Sequence, residues 1–388
     1  MATLRIGGSG ADLVALSAAF ARQAGSGELR FDTEGPVYEW NSDAGETWRA
    51  EGGALRIEGG GPVGPTERLS LLTGDLVLDG EGDPLGDLAV LAAQEAGPAD
   101  PFAAGLTGAD RLLVQATEDV RLFGDAFEGQ DRAEGGDDLY RDDRAPGARR
   151  VSGDFWSVSA LALTAEGGDD RFQALGTEAL TLWGDAALLP DRAANGGTLI
   201  GGADRLDASG ARATFREETR ALIGDAGMAG RNWRVDGGDD VILGPPGPAA
   251  LIGDVTAVRP GARVVAGADT VQGGDGDDAI YGDVVRLEAG ARLSPGGDVL
   301  RGGRGDDVIW GDVEQALGRV EAPQRAADRL WGGDGRDMIR AGWGDDRAWG
   351  GDGADDLRGG VGDDRLTGGG GRDRLRGDGG RDRLDGGA

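Results

Sequence analysis

From Gly332 to Asp385 one aliphatic residue recurs every nine positions in a background of glycine and aspartate: Ile339, Ala348, Leu357, Leu366, Leu375 and Leu384. Six blocks carry it: GGDGRDMIR, AGWGDDRAW, GGDGADDLR, GGVGDDRLT, GGGGRDRLR and GDGGRDRLD. Each has Gly at position 4 and Asp at position 6. One buried side chain per block predicts a three-residue strand at positions 7 to 9, with position 8 pointing inward and a tight turn before it. The block recurs as GGDGDDAIY at 273–281, GGRGDDVIW at 302–310 and, near the start, GGSGADLVA at 7–15. Such self-similarity predicts a solenoid, two blocks to a coil.

A longer period runs upstream. Gly-Asp dipeptides begin at Gly124, Gly153, Gly184, Gly224, Gly253, Gly282 and Gly311, with steps of 29, 31, 40, 29, 29 and 29 residues. The regular steps divide into 20 and 9. The long part starts with Gly-Asp and ends as Gly-x-Asp-x-aliphatic, as in Gly253-Asp254 leading to Ala268-Asp269-Thr270-Val271. It reads as a nonapeptide with an insertion of about eleven residues in its turn. One column of turns then starts at 273, 302, 332, 350 and 368, the other at 282, 311, 341, 359 and 377.

Composition narrows the chemistry. Of 388 residues 77 are Gly, where roughly 7% is usual, which argues against a mainly helical chain. There are 70 acidic and 40 basic residues, a net charge of −30 that argues against nucleic-acid binding. With no His and no Cys, zinc sites built on them, serine triads, catalytic thiols and disulfides are all impossible. No apolar run approaches the ~20 residues of a membrane span. The N-terminal segment MATLRIGGSGADLVALSAAF lacks the apolar stretch of a cleaved signal peptide.

The excess carboxylates call for a cation. Glycines at positions 1, 2 and 4 permit positive φ and a turn whose carbonyls converge, and Asp at position 6 adds a charged oxygen. Oxygen-only donors select Ca²⁺. Stacked turns place these charges roughly 4.8 Å apart, where unit charges repel by about 0.9 kcal/mol per pair even in water. A chain loosely collapsed without calcium and folded with it is therefore expected.

These blocks resemble the RTX, or haemolysin-type, calcium-binding repeat family, whose pattern is G-G-x-G-x-D-x-aliphatic-x. The resemblance implies an all-β fold, a right-handed parallel β-roll or β-solenoid with multiple Ca²⁺ ions between stacked turns. It also implies an extracellular or cell-surface protein exported by type I secretion. On that resemblance the position-6 residues Asp278, Asp307, Asp337, Asp346, Asp355, Asp364, Asp373 and Asp382 are side-chain ligands. Register extends the role to Asp269, Asp298 and Asp328, and further upstream to Asp138, Asp170, Asp204 and Asp240. Asp12 and the position-3 residues Asp275 and Asp334 complete the acidic candidates. The carbonyl donors are drawn from Gly274, Gly276, Gly303, Gly305, Gly333, Gly335, Gly342, Gly344, Gly351, Gly353, Gly360 and Gly362.

Three regions follow: 1–105 as a β-rich cap or irregular coils, 106–331 as a degenerate solenoid of 29-residue coils with inserted loops, and 332–388 as a regular roll. Position 9, at Phe123, Ser152, Trp183, Ile223, Ile252, Tyr281 and Trp310, alternates with the inward column and so forms an outward stripe. A stripe of this extent is either covered by other parts of the chain or serves as a docking surface for another copy, another protein or a glycan. The inserted loops read as tolerated surface ornaments or as a binding edge. Arg347, Arg365, Arg374 and Arg383 at position 7 are expected to pair with Asp on neighbouring coils. Segment 28–58, with Tyr38, Trp40, Trp48, Glu39 and Glu46, is a capping element or a small sugar-stacking module. No carboxylate pair stands out for catalysis. The expectation is a non-enzymatic structural, adhesive or self-assembling protein, associating end to end through an open last coil or through the stripe. The alternative is an enzyme or enzyme fragment acting on extracellular polysaccharide.

Overall fold

The computed structural model describes side chains at residues 139, 152–154, 164–174, 180–186, 188–189, 197–211, 220–319 and 326–388, and elsewhere backbone strands alone. Every regular element among the described residues is a strand. Strand stacks in the coiled part are parallel, as a solenoid requires.

The coil beginning at Gly253 shows the plan of the long repeat. Val255–Val258 and Arg263–Val265 come first, then Thr270–Asp275 and Ala279–Tyr281. The last two are the strands the nine-residue pattern demands, and their successors form two roll sheets. Thr270–Asp275 pairs with Val299–Arg304, which pairs with Arg329–Gly335, and so on through Arg347–Gly353 and Arg365–Gly371 to Arg383–Gly387. Ala279–Tyr281 leads in the same way through Val308–Trp310 and Met338–Trp343 to Asp356–Val361 and Arg374–Gly379. Between the sheets lie the position-8 residues Leu251, Ile280, Ile309, Ile339 and Leu357 and their opposites Val271, Leu300 and Leu330, all fully buried.

The insertions are not loops. Each folds into two further strands, which stack into sheets of six and seven strands beside the roll. Val255, Val258, Val264, Val284, Leu287 and Leu293 meet in a separate buried cluster that also holds Trp233. The expectation of loops is corrected to strands, while the expected packing of the insertions' apolar residues on one another is what the cluster shows. Runs of three and four residues are too short for alternation to announce them, yet stacking coil on coil closes a second core. This lobe ends where the insertions end: Val271 pairs with Leu300, 29 residues on, whereas Leu330 pairs with Ala348, only 18 on.

Toward the N-terminus the pairing changes hand. Thr3–Gly8 lies parallel to Arg111–Ala116 and antiparallel to Asp75–Asp79. Glu28–Phe31, Pro36–Asn41, Thr47–Glu51, Arg68–Leu71 and Asp75–Asp79 pair antiparallel in succession. Within segment 28–58, Trp40 stands opposite Trp48 in that register.

Of two surface expectations, the stripe is in part covered, as one of its two readings has it, and the arginine pairing is corrected. The position-9 stripe is not continuous: Ile223 and Ile252 are buried, while Trp183, Tyr281 and Trp310 are half-buried. The Phe123 side chain lies outside the described residues. The position-7 arginines Arg347, Arg365, Arg374 and Arg383 are exposed, and three of them stand in register with one another along one roll sheet. The ion pairs are made by other arginines, such as Arg340 with Asp356 at 3.2 Å and Arg381 with Asp363 at 2.8 Å. Arg347, Arg365 and Arg383 stack on one another because equivalent residues superpose from coil to coil, whereas Arg374 stands in register with Asp356, whose ion pair goes to Arg340.

Candidate metal centre

Register decides where the carboxylates go. Gly274, Gly303, Gly333, Gly351 and Gly369 pair in one column of turns, and Gly342 with Gly360 in the other, so position 6 is also superposed. Twelve of its aspartates, Asp170, Asp204, Asp240, Asp269, Asp278, Asp298, Asp307, Asp328, Asp337, Asp346, Asp355 and Asp364, are at most 2% exposed. Asp373 and Asp382 are half-buried, and Asp12 and Asp138 lie outside the described residues.

Each buried aspartate divides its two oxygens between two tasks. The Asp278 N–H donates to Asp307 Oδ1 at 2.8 Å, and the Asp307 N–H to Asp337 Oδ1 at 2.9 Å. The Asp337 N–H then donates to Asp355 Oδ1 at 2.9 Å, and that of Asp355 to Asp373 Oδ1 at 3.1 Å. A second ladder runs through Asp240, Asp269, Asp298, Asp328, Asp346 and Asp364 to Asp382. Oδ1 thus carries the coil-to-coil hydrogen bond. Oδ2 of Asp269, Asp278, Asp307, Asp328, Asp337 and Asp346 is buried with no donor at all. A buried acceptor left in that state costs about 1–3 kcal/mol, and more when charged.

Those oxygens face a cradle lined by backbone. A β-carbon on Gly302 would collide with Asp307 Oδ2 and come within 2.7 Å of the Gly332 carbonyl oxygen. Gly332 and Gly350 stand in the same way to Asp337 and Asp355, each with a carbonyl of the next coil 2.6 Å from that point. At these three positions glycine leaves room for the crowding oxygens, while Ala341 holds position 1 in the block at 341–349. Positive φ belongs to positions 2 and 4, at Gly303 (122°) and Gly305 (129°), which corrects the expectation that all three glycines take it.

Burial drives the electrostatics. Desolvation, with like charge from the next carboxylate, pushes Asp278 up to about 8. Desolvation likewise raises Asp337 and Asp346 to about 7 and Asp307 to about 6, against backbone hydrogen bonds that pull down. Asp254, Asp269 and Asp283 stand well above the usual carboxylate range, for burial first and neighbouring aspartates second. Such columns hold either protons or cations.

The donor set suits a hard cation. Carboxylate Oδ2 and backbone carbonyls converge without nitrogen or sulfur, as Ca²⁺ requires. Among the described residues no three acidic side chains meet at one point, so a bound ion would take much of its coordination from main-chain oxygens. The position-3 residues stand apart. Asp275 and Asp334 have two-thirds of their side-chain surface exposed and flank Arg304, at 3.8 and 3.7 Å, outside the buried columns.

The sequence reading passed over the Gly-Asp aspartates. Asp154, Asp185, Asp225, Asp254, Asp283 and Asp312 are at most 1% exposed, as deeply buried as position 6. Their dipeptide marked the coil period, and its recurrence at steps of 29, 31 and 40 residues was the available signal.

Four stretches, 265–284, 294–313, 325–357 and 358–388, match the family model of the RTX calcium-binding nonapeptide repeat. No curated protein matches the chain. The roll sheets run through the matched stretches and on upstream, through Val241–Leu243 and Arg205–Asp207, in unbroken parallel register. The matched stretches thus carry the RTX calcium-binding nonapeptide repeat, and their strands stack as a parallel β-roll.

Proposed function

We propose that this protein is an exported, calcium-assembled β-roll whose role is structural, adhesive or self-assembling at the bacterial exterior, with no catalytic activity of its own. One observation carries the reading: buried Oδ2 atoms repeat along the stack, as at Asp278, Asp307 and Asp337, each beside a main-chain carbonyl and without a donor. Calcium held between successive coils would offset the repulsion of the stacked carboxylates. Position-6 carboxylates and turn carbonyls would hold it, and the ion would supply charge neutralisation to the stack. Extracellular calcium is roughly millimolar, so sites with dissociation constants near 10⁻⁴ M would each add about 1.4 kcal/mol. An intracellular chain would stay loose until export, which favours passage through a secretion channel. No helix among the described residues is long and apolar enough to cross a membrane.

A structural role fits the use made of the acidic residues, since the buried carboxylates lie within the stacked coils. The test is a calcium titration followed by circular dichroism, with sedimentation and glycan-turnover assays at each end point. Strand signal that appears only with calcium, without turnover, supports the proposal. Full order in excess chelator would overturn the calcium part, and calcium-dependent glycan cleavage the structural part.

A further inference from the structure

One outer face of the roll is segregated by charge. On the sheet that runs from Val299–Arg304 to Arg383–Gly387, position 7 reads Val299, Arg329, Arg347, Arg365 and Arg383 in direct register. Position 9 on the same face reads Arg301, Trp331, Trp349, Thr367 and Asp385. From Val299 onward, acid enters these two columns only at Asp385, in a chain whose net charge is −30.

The arginine row has no partner of its own. Arg329, Arg347, Arg365 and Arg383 are exposed, and among the described residues no carboxylate forms an ion pair with any of them. The acids closest along the chain are used elsewhere. Asp345 and Asp363 accept N–H groups of the next coil at 2.8 and 2.9 Å, and Asp363 also holds Arg381. Asp346 and Asp364 are buried inside the turns. On the opposite sheet, by contrast, Arg340 pairs with Asp356 at 3.2 Å and Arg376 with Asp378.

Equivalent side chains stand one coil apart, roughly 4.8 Å, so the row runs parallel to the roll axis. Like charges lined up in this way are matched by a linear anion of similar step. Arginine favours carboxylates, which it can grip through two parallel N–H···O bonds. The step separates the candidates. Same-side carboxylates of an acidic β-strand lie about 6.6 Å apart and fall out of register with the coils. A 1→4-linked uronate chain carries one carboxylate on every pyranose ring, and a ring is close to one coil spacing long. Beside the row, the Trp331 and Trp349 rings stack at 4.8 Å under the Arg301 guanidinium, a half-buried apolar strip against which sugar C–H groups can pack.

We propose that this face binds a linear acidic polysaccharide of uronate type, laid along the roll axis with about one sugar per coil. The proposal rests on the adhesive reading above and names its ligand class. Calcium enters only by stacking the coils that line up the row.

The test uses the full chain at a calcium concentration that gives full strand signal by circular dichroism. Short oligogalacturonate is titrated in, with tryptophan fluorescence and calorimetry as readouts. Arg347→Gln combined with Arg365→Gln removes charge from the row. Arg358→Gln combined with Arg374→Gln removes the same charge from exposed positions on the opposite sheet. The row variant is expected to bind about tenfold more weakly or worse, the worth of a charge-assisted hydrogen bond, and the opposite-sheet variant to match wild type. Dichroism verifies that both keep the fold. Three comparators need no variant: a malto-oligosaccharide, and an oligoglutamate and an oligothymidylate of equal charge. Each is expected to bind wild type more weakly than oligogalacturonate, and equal or tighter binding of any one overturns the proposal. Equal weakening in both variants overturns it too, as does a folded wild type that binds no oligogalacturonate. Full strand signal in excess chelator would instead sink the calcium reading, and the same titrations would then decide this proposal in chelator.

Discussion

The backbone N–H of Asp278 reaches Asp307 Oδ1 on the next coil at 2.8 Å, and the other Asp307 oxygen is left buried without a donor. A single carboxylate therefore joins two coils directly and offers its free oxygen to a third party. Everything distinctive in this protein's response to calcium, pH and mutation follows from that division of labour.

Replacing Asp307 tests it. Asp307→Asn keeps an acceptor for the Asp278 N–H but loses the charge, whereas Asp307→Ala loses both. The expected order of calcium needed for half-maximal strand signal is wild type, then Asn, then Ala. Asp346→Ala should resemble Asp307→Ala, since Asp346 holds the equivalent place in the other ladder. Circular dichroism during calcium titration reads the order, and coincident curves would contradict the assignment.

Acidity should replace calcium in part. Desolvation raises Asp278 to about 8, Asp298 to about 7 and Asp364 to about 6 in the folded chain. Because folded values exceed the unfolded one, the metal-free fold binds more protons than the unfolded chain between about pH 4 and pH 8. Stability then falls as pH rises through that window. Metal-free protein moved from pH 8 to pH 5 is expected to gain strand signal, and a flat or declining signal would show that these groups are not buried together.

Gly302 should be intolerant for a steric reason, even though Ala341 holds position 1 in the other column. Gly302→Ala places a methyl group onto Asp307 Oδ2 and close to the Gly332 carbonyl. The expected result is loss of calcium-dependent folding at least as severe as for Asp307→Asn. Gly386, whose added β-carbon would meet nothing within 4 Å, is the control, and Gly386→Ala should leave the titration unchanged.

The lobe has its own core and its own cost of damage. Leu293 is fully buried there, so Leu293→Ala should destabilise the calcium-loaded protein by about 2–5 kcal/mol. Leu317 is 66% exposed, and Leu317→Ala should fall within about 0.5 kcal/mol of wild type. Denaturant melts in saturating calcium measure both, and equal effects would deny the lobe a separate core.

A fluorescence signal should report coil stacking. The Trp331 and Trp349 rings stack at 4.8 Å with 5° between planes, and the Arg301 guanidinium sits 4.6 Å from the centre of Trp331. Trp349→Leu is expected to remove most of a calcium-dependent change in near-ultraviolet dichroism while leaving the strand signal in place. Retention of the full near-ultraviolet change would assign it to other tryptophans.

What the sequence determined by itself is whatever repeats. In a solenoid each residue meets its own equivalent one coil away, so a period of nine, doubled, places Ile339 over Leu357 and Asp337 over Asp355 without further information. The parallel strands, the inward position-8 column and the position-6 carboxylate ladders were all legible for that reason. Only the tertiary structure decided what happens across a coil instead of along the stack. Short runs such as Val255–Val258 became strands because a neighbouring run could cover them. Asp275 and Asp283 show the difference most plainly. Both are aspartates in glycine-rich turns, yet one lies at the surface beside Arg304 and the other is sealed between two cores. Asp283 recurs as Asp254 and Asp312 while Asp275 faces Arg304 one coil on, yet the depth of burial depends on which strands pack over them.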